Sequence, residues 1–208
     1  MQERAARTRE VLIRAAAREF DSIGYAGASL AGIARSAGIS VGAVTFHFPS
    51  KAQLAAAVNE RGLAATAALV ERVTARGDAS VESVVTMTLA LADLLENNVT
   101  VRAAARLTRE QQGQGAVQDW TSAWMPRLRE LLGQAPGGSR GAYADSTTLT
   151  ALASYLVAGV EADLRHRGQP GHCPPEGPVD QLARIWSLVS HGLVPPEPPP
   201  SHRRRPSS

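Results

Sequence analysis

The stretch 29–51, SLAGIARSAGISVGAVTFHFPSK, contains the signals for two short helices joined by a tight turn and followed by a longer helix. Ser29, Ser40 and Ser50 each stand where a serine hydroxyl can cap the first turn of a helix. Gly38 stands where a helix ends in the left-handed conformation, which costs glycine little. Two helices of this length with a glycine between them predict a helix-turn-helix, whose second helix fits the major groove of DNA.

The second helix of this motif begins with small side chains, which let a backbone approach DNA closely. Val41 and Thr45 could offer methyl or hydroxyl groups to base edges. His47 alone would be read as a core or surface imidazole, but beside this turn and four residues from Lys51 we expect it to contact phosphate, as Lys51 would. The full set of expected DNA-contacting residues is Ser29, Ser40, Val41, Gly42, Ala43, Thr45, Phe46, His47 and Lys51.

The string 38–51, GISVGAVTFHFPSK, resembles the signature of the TetR family of transcriptional repressors. Its FHFPSK ending resembles the γ-butyrolactone receptor branch of that family. The resemblance extends over about residues 4–70 and implies phosphate contacts at His47 and Lys51. It also implies that Trp120, in the pair Asp119-Trp120, contacts a ligand. One departure is Thr45, where the family usually has a tyrosine that contacts the DNA backbone.

Composition favours an all-α protein, since alanine is frequent and no segment alternates in the manner of a strand. Its 208 residues suffice for a sizeable core. With the resemblance, we expect a helix-turn-helix DNA-binding domain at 1–50, a helical ligand-binding and dimerisation domain at 51–194, and a disordered Pro/Arg-rich tail at 195–208. The net charge of +3 comes from the first 51 residues and the tail, which suits phosphate binding at the N-terminal end.

Several classes of protein are not expected. The single Cys173 excludes an internal disulfide framework, and no leader or long apolar run indicates export or a membrane span, so we expect a cytoplasmic protein. An enzyme such as a lactone hydrolase is an unlikely reading, because the chain has no G-x-S-x-G elbow and no Gly-rich phosphate loop. No metal site and no cofactor are expected.

Helical segments are expected along the rest of the chain. Their limits are about 4–22 with Gly24 as a stop, 51–75, 80–97, 100–113 with Thr100 as cap, 117–133 with a kink or a break at Pro126, 146–167 and 179–193. Trp120 and Trp124 then lie four apart on one helix face, a spacing more typical of core aromatics. A kink beside them would leave space for a small amphipathic ligand. The expected ligand-binding residues are Leu89, Leu95, Leu107, Thr108, Gln111, Trp120, Trp124 and Ser154.

The last two long helices carry apolar stripes that the resemblance assigns to a four-helix dimer interface. The expected interface residues are Leu152, Leu156, Gly159, Val160, Leu182, Trp186 and Val189. These features predict a homodimeric repressor that binds a palindromic operator and is released by a small γ-butyrolactone-type ligand. A pseudo-receptor that answers to an antibiotic or its precursor is the alternative, and a DNA-binding protein without a ligand is a further one.

Overall fold

The computed structural model describes residues 2–75, 80–111, 118–133, 146–167 and 176–193. Within these ranges it contains nine α-helices, one 3₁₀ turn and no strand, as the all-α prediction required. The sequence positions of Cys173 and of the predicted tail 195–208 lie outside the described residues. Each helix of the described ranges is too short or too polar to cross a membrane.

Four helices form the N-terminal part: α1 Gln2–Gly27, α2 Leu30–Ala37, α3 Val41–His47 and α4 Lys51–Thr74. The three predicted serine caps are present, with the hydroxyl oxygens of Ser29, Ser40 and Ser50 accepting from backbone N–H groups three residues on. Gly38 ends α2 in the left-handed region at φ +70°. The limits of the helices in the helix-turn-helix are thus set by contacts between residues that are close in sequence.

Gly24 bends α1 instead of ending it. The helix was expected to stop at about residue 22, but it resumes after Gly24, whose φ of 74° and ψ of 177° are not helical. A side chain at this position would also collide with Glu110 and Arg106 of a later helix. The bend therefore lets another helix approach α1 closely.

Five helices and the 3₁₀ turn form the C-terminal part: α5 Val81–Asn97, α6 Val99–Glu110, the turn Trp120–Ala123, α7 Met125–Gly133, α8 Ser146–His166 and α9 Pro178–Leu193. Two expectations are corrected here. Asn98, not Thr100, caps α6, because its side chain accepts from the Thr100 and Val101 N–H groups. Pro126 lies in the first turn of α7, where its missing N–H costs nothing, so the two tryptophans do not share one helix.

Two apolar cores lie side by side. The N-terminal core includes Phe20, Ile33 and Val44, and it also takes Leu54 and Val58 from α4. The C-terminal core is built on α5, α7, α8 and α9. Because the first two turns of α4 belong to the N-terminal core, packing in this core runs past the predicted domain limit at residue 50.

Helix α6 joins the two cores. Its Ala103 and Leu107 are buried in the N-terminal core, while Val101 and Ala105 are buried in the C-terminal one. It packs along both α1 and α4, and Gly62 of α4 provides room for the Ala104 side chain. A displacement of α6 would therefore change the packing of both cores.

Candidate DNA-binding surface and ligand pocket

One face of α3 is anchored and the other is exposed. Val44 and the following Phe48 are buried in the N-terminal core. Val41 and Phe46 are exposed, with Phe46 showing 81% of its surface. The remaining predicted contact residues Ser29, Ser40, Gly42 and Thr45 are exposed as well, and Ala43 is half-buried. Apolar side chains held outward on a short helix are of the kind that contacts thymine methyl groups.

Two side chains of α3 contact their own helix. The Thr45 hydroxyl donates to the Gly42 carbonyl over 3.1 Å, so its methyl and its oxygen lone pairs remain available to a partner. His47 is half-buried, with its ring edge-on to Phe46 at a centroid distance of 5.3 Å. These contacts limit the orientations that the side chains adopt before any partner binds.

Lys51 is tied to the end of α1. Its Nζ donates to the Tyr25 carbonyl over 2.8 Å and to the Ala28 carbonyl over 3.0 Å. The ammonium also lies 4.3 Å from the centroid of the Tyr25 ring. Two of its three N–H groups are therefore used inside the protein, which the prediction of a simple phosphate contact did not anticipate. The contact with Tyr25 arises from tertiary packing, and no local pattern signals it.

Arginines are exposed on the helices that precede α3. Arg4, Arg7, Arg14 and Arg18 are exposed along α1, and Arg35 is exposed on α2. Arg9 lies over the Phe48 ring at 4.9 Å from its centroid, next to the end of α3. Arg9 therefore brings a positive charge to the end of α3, where a phosphate could be bound.

A cavity of about 290 Å³ lies between α6, the 3₁₀ turn, the start of α7 and α8. It brings together four of the predicted ligand-binding residues, Thr108, Trp120, Trp124 and Ser154. Sequence reasoning missed the other lining side chains of this cavity that carry chemistry: Arg109, Asp119, Thr121, Tyr155 and Glu161. Only tertiary packing brings the three chain segments to one cavity, although Arg109 does follow the predicted Thr108.

The other four predicted ligand-binding residues lie elsewhere. Leu95 is buried in the C-terminal core and Leu89 packs against it. Leu107 faces the opposite side of α6 and is buried in the N-terminal core. Gln111 is buried at the end of α6 but is not part of the cavity wall. These four residues therefore do not line this cavity, and their role in ligand binding stays a prediction.

The two tryptophans of the cavity differ in their hydrogen bonding. Trp120 is buried, and its Nε1 donates over 2.9 Å to the hydroxyl of Thr66, which in turn donates to the Gly62 carbonyl. Trp124 is buried with its ring centroid 5.8 Å from that of Trp120. Its Nε1 has no hydrogen-bond acceptor within the described part of the chain. Trp124 is thus the indole with a donor to offer.

Glu161 forms a charged wall of the same cavity. The carboxylate is buried, and it is paired with Arg109 from α6 and with Arg165 one turn further along α8. The Arg165 Nε lies 3.0 Å from Glu161 Oε1. Because Asp119 also lines the cavity and Arg165 does not, the charged groups of the wall are two carboxylates and the guanidinium of Arg109.

A second, wider cleft of about 500 Å³ lies between the end of α4 and the start of α7. Its Arg127 is bonded to the Thr74 hydroxyl at 3.0 Å and paired with Glu130 at 2.7 Å. The polar groups of this cleft are therefore largely paired within the protein. The smaller cavity, which has aromatic walls and four of the predicted ligand-binding residues, is the better candidate for a ligand.

The predicted dimerisation residues divide into two groups. Val160, Leu182 and Trp186 are buried in the chain's own core, where Trp186 Nε1 donates to the Thr88 hydroxyl over 2.9 Å. Gly159 is exposed, and Leu152, Leu156 and Val189 are half-buried. The largest exposed apolar side chains on the same two helices are Tyr155 at 75% and Leu188 at 71%. The outward stripe is therefore shifted from the predicted one, which corrects the assignment of the three core residues.

A polar cluster fastens α6 to α1. Arg102 Nε lies 3.0 Å from the Asp21 carboxylate, and Arg106 donates to the Asp21 carbonyl over 2.6 Å. The Glu110 carboxylate accepts the Tyr25 N–H over 2.6 Å, beside the bend at Gly24. Burial raises the pKa of Asp21, and the opposing effect of Arg102 is smaller. Through Tyr25, this cluster adjoins the Lys51 contact.

Residues 12–58 match the family model of the bacterial regulatory proteins of the tetR family. These residues cover most of α1, all of α2 and α3, and the two turns of α4 that share the N-terminal core. Residues 12–58 thus carry the N-terminal domain of the TetR family of regulatory proteins.

Over most of its length the chain is similar to γ-butyrolactone receptors. It is 28% identical over 210 residues to the A-factor receptor protein of Streptomyces griseus, covering 88% of this chain and 73% of that protein. A crystal structure of an ArpA-like γ-butyrolactone receptor superimposes with a TM-score of 0.69 at 27% identity, covering 92% of this chain and 90% of that one. A structure described as the molecular basis for control of antibiotic production by bacterial hormones gives a TM-score of 0.63 at 27% identity, over 90% and 95% of the two chains.

Proposed function

We propose that the protein is a homodimeric, ligand-responsive transcriptional repressor that binds a palindromic operator and is released by a small γ-butyrolactone-type signal. The observation that carries this proposal is the position of α6. One face of this helix is fastened to α1 of the DNA-binding part, and another lines the cavity.

The DNA-binding half of the proposal rests on α3 and its surroundings. Val41, Gly42, Thr45 and Phe46 would read base edges, because they form the exposed face of a helix whose other face is anchored. His47 and the arginines of α1 would contact phosphates. Lys51 would contribute mainly by holding the end of α1 in place, with one N–H left for a phosphate.

The exposed apolar side chains on α8 and α9 support the dimer part of the proposal. Tyr155, Leu188 and the small Gly159 would form the centre of the interface, together with the half-buried Leu152, Leu156 and Val189. An isologous pair of chains presents two copies of α3 with two-fold symmetry, which matches the symmetry of a palindrome.

Ligand binding would act on DNA binding through α6. Thr108 and Arg109 of this helix line the cavity, while Arg102, Arg106 and Glu110 hold α1 at Asp21 and Tyr25. A ligand that favours a shifted α6 would move α1 and with it the separation of the two α3 helices. The loss of DNA affinity that such a ligand can cause is limited by the ratio of its own affinities for the two arrangements.

A footprint on the DNA that flanks the gene tests the proposal. We expect protection with two-fold symmetry, and we expect a γ-butyrolactone or a culture extract to relieve it. Protection that no such ligand relieves would favour the ligand-independent alternative. Relief by an antibiotic or its precursor instead of a lactone would favour the pseudo-receptor, and the absence of protected DNA would contradict the repressor itself.

A further inference from the structure

Helix α3 carries no side chain of the kind that reads bases through paired hydrogen bonds. Arginine or lysine reads guanine in this way, asparagine or glutamine reads adenine, and acidic side chains read cytosine. None of these occurs among the seven residues of α3, VGAVTFH, all of which the structure describes. His47 has ring nitrogens, but it is half-buried at the last residue of the helix, where it would contact a phosphate. Base recognition by this helix therefore has to use other chemistry.

The hydroxyl group of α3 is already used as a donor. Thr45 Oγ1 donates to the Gly42 carbonyl over 3.1 Å, so it keeps acceptor capacity but has no hydrogen left for a guanine. Ser40, just before the helix, caps it by accepting the Ala43 N–H over 3.2 Å. The exposed arginines of this part lie on α1 and α2, outside the helix. What α3 itself offers to a base edge is therefore mainly apolar.

Two exposed apolar side chains lie on α3. Phe46 is 81% exposed and Val41 is 45% exposed. Phe46 points away from the buried Val44, because two residues along a helix turn a side chain by roughly 200°. Its ring is edge-on to that of His47 at a centroid distance of 5.3 Å, which limits the directions it can take. A partner with a small apolar group at this face would remove both side chains from water.

Gly42 leaves this face of α3 open to a close approach. A Cβ added at Gly42 would meet only Ser40 Oγ, at 4.0 Å, so packing in the described part of the chain does not require a glycine there. Glycine weakens a helix relative to alanine. A glycine that weakens the helix without a packing reason indicates that a partner approaches the backbone. Because Gly42 lies one turn before Phe46, such an approach brings the ring against the partner.

We propose that α3 recognises its half-site through the C5-methyl groups of thymines, which Phe46 and Val41 contact in the major groove. This methyl is the apolar group that a thymine presents on its major-groove edge. The inference rests on the proposed repressor function and names the chemistry of its operator. Arginine contacts with phosphates supply affinity without distinguishing sequences, whereas the methyl contacts distinguish thymine from the other bases.

The test replaces thymine with deoxyuridine, which keeps the base pair and removes only the methyl group. A symmetric site selected from a random-sequence pool is synthesised with uracil at one symmetric pair of thymines at a time, and fluorescence anisotropy measures its affinity for the full chain. We expect a loss of about fourfold for each contacted methyl, and about fifteenfold for the symmetric pair. Uracil in the flanking DNA is the control. Half-sites without a recurrent thymine, or unchanged affinity after every replacement, would overturn the proposal.

Variants assign the methyl contacts to particular side chains. Phe46→Ala and Val41→Ala should each bind the thymine duplex about fourfold more weakly and lose the preference for thymine over uracil at the base pair that the side chain contacts. Both positions are exposed, so the fold should be kept, and thermal unfolding checks this. Val11→Ala is the matched control, because Val11 is 41% exposed on α1, and it should keep the full preference. A preference that persists in both α3 variants would contradict the assignment.

The same measurements separate this inference from the proposed function. A symmetric operator that is bound equally in its thymine and uracil forms would remove methyl recognition and leave the repressor in place. Thymine-dependent binding that no ligand relieves would leave methyl recognition in place and remove the ligand response. If no duplex is bound, both the repressor and this inference are contradicted.

Discussion

His47 is the last residue of α3 and Lys51 is the first residue of α4, and their surroundings differ. The Lys51 ammonium has two backbone acceptors at 2.8 and 3.0 Å, whereas the His47 ring contacts Phe46 at the protein surface. Removing a side chain that holds the structure lowers stability, whereas removing a side chain that only contacts DNA lowers DNA affinity alone. Stability and DNA affinity, measured together, can therefore separate the two roles.

We predict that Lys51→Met lowers the free energy of unfolding by about 1–2 kcal/mol, because the Tyr25 and Ala28 carbonyls lose a charged donor. Its affinity for DNA should also fall. His47→Ala should leave the free energy of unfolding within about 0.5 kcal/mol of the wild type. It should reduce the slope of log affinity against log salt concentration by about one. Chemical denaturation measures the stability of each variant, and DNA-binding titrations at several salt concentrations measure the slope. Unchanged stability in Lys51→Met would show that Lys51 does not hold the structure and would favour a direct contact with phosphate as its role.

Titration of Asp21 makes the stability of the folded protein depend on pH. Burial raises the pKa of this carboxyl in the folded state above its ordinary value of 3.8. The folded state then binds more protons than the unfolded one between those two pKa values. The stabilising contribution is complete below the unfolded pKa and is lost as pH rises through the folded pKa.

We predict that the stability of the wild type relative to Asp21→Asn decreases as pH rises from about 4 to 7, because the amide does not titrate. Urea unfolding of both proteins at a series of pH values measures the difference. A difference that grows with pH would mean that Arg102, 3.0 Å away, outweighs burial.

At the scale of elements, α6 is where the cavity and the DNA-binding part meet. Its Glu110 accepts the Tyr25 N–H over 2.6 Å at the bend of α1, one residue after the Arg109 that lines the cavity. Tyr25 is also the residue whose carbonyl holds Lys51. A continuous set of contacts thus runs from the cavity wall to the start of α4.

We predict that Glu110→Ala reduces the coupling between ligand and DNA several-fold, because α6 loses a contact with α1 while the cavity keeps its lining. The measurement is operator affinity with and without a saturating ligand, and ligand affinity by calorimetry. Glu60→Ala, an exposed glutamate of α4, is the control. If the ratio of the two operator affinities is unchanged in Glu110→Ala, the contact with Tyr25 carries no coupling.

The elements show where sequence reasoning succeeds and where it fails. The caps at Ser29, Ser40 and Ser50 and the turn at Gly38 could be predicted because they depend on neighbours within a few residues. Pro126 was predicted to kink or break a helix, and the sequence could not decide between the two, because a proline within a helical pattern either kinks a helix or begins a new one. The separation of Trp120 from α7 depends on that choice.

At the scale of the whole molecule, the two cores and the cavity depend on contacts between distant segments. Leu107 was predicted for the cavity, but α6 is covered on several sides and Leu107 faces the N-terminal core. Trp186 was predicted for the dimer interface, but it is packed against α5. Amphipathic patterns identify a buried stripe without indicating which partner buries it.

The exposed stripe of α8 and α9 yields a prediction on assembly. Leu188→Glu should convert the dimer to monomers, because Leu188 is 71% exposed in the single chain and the new charge would be buried in the interface. Val11→Glu, at an exposed apolar position of α1, should leave the dimer intact. Sedimentation equilibrium measures the molecular mass of each variant in solution. A dimer that survives Leu188→Glu would show that the interface lies on another face.

The central claim is that two chains place their α3 helices in successive major grooves of one duplex. Selection of bound duplexes from a random-sequence pool, followed by sequencing, tests it most directly. We predict a two-fold symmetric motif with half-sites about one helical turn, roughly 34 Å, apart or a multiple of it, and its loss in Thr45→Ala,Phe46→Ala. Enrichment of an asymmetric site, or no enrichment over the starting pool, would contradict the account.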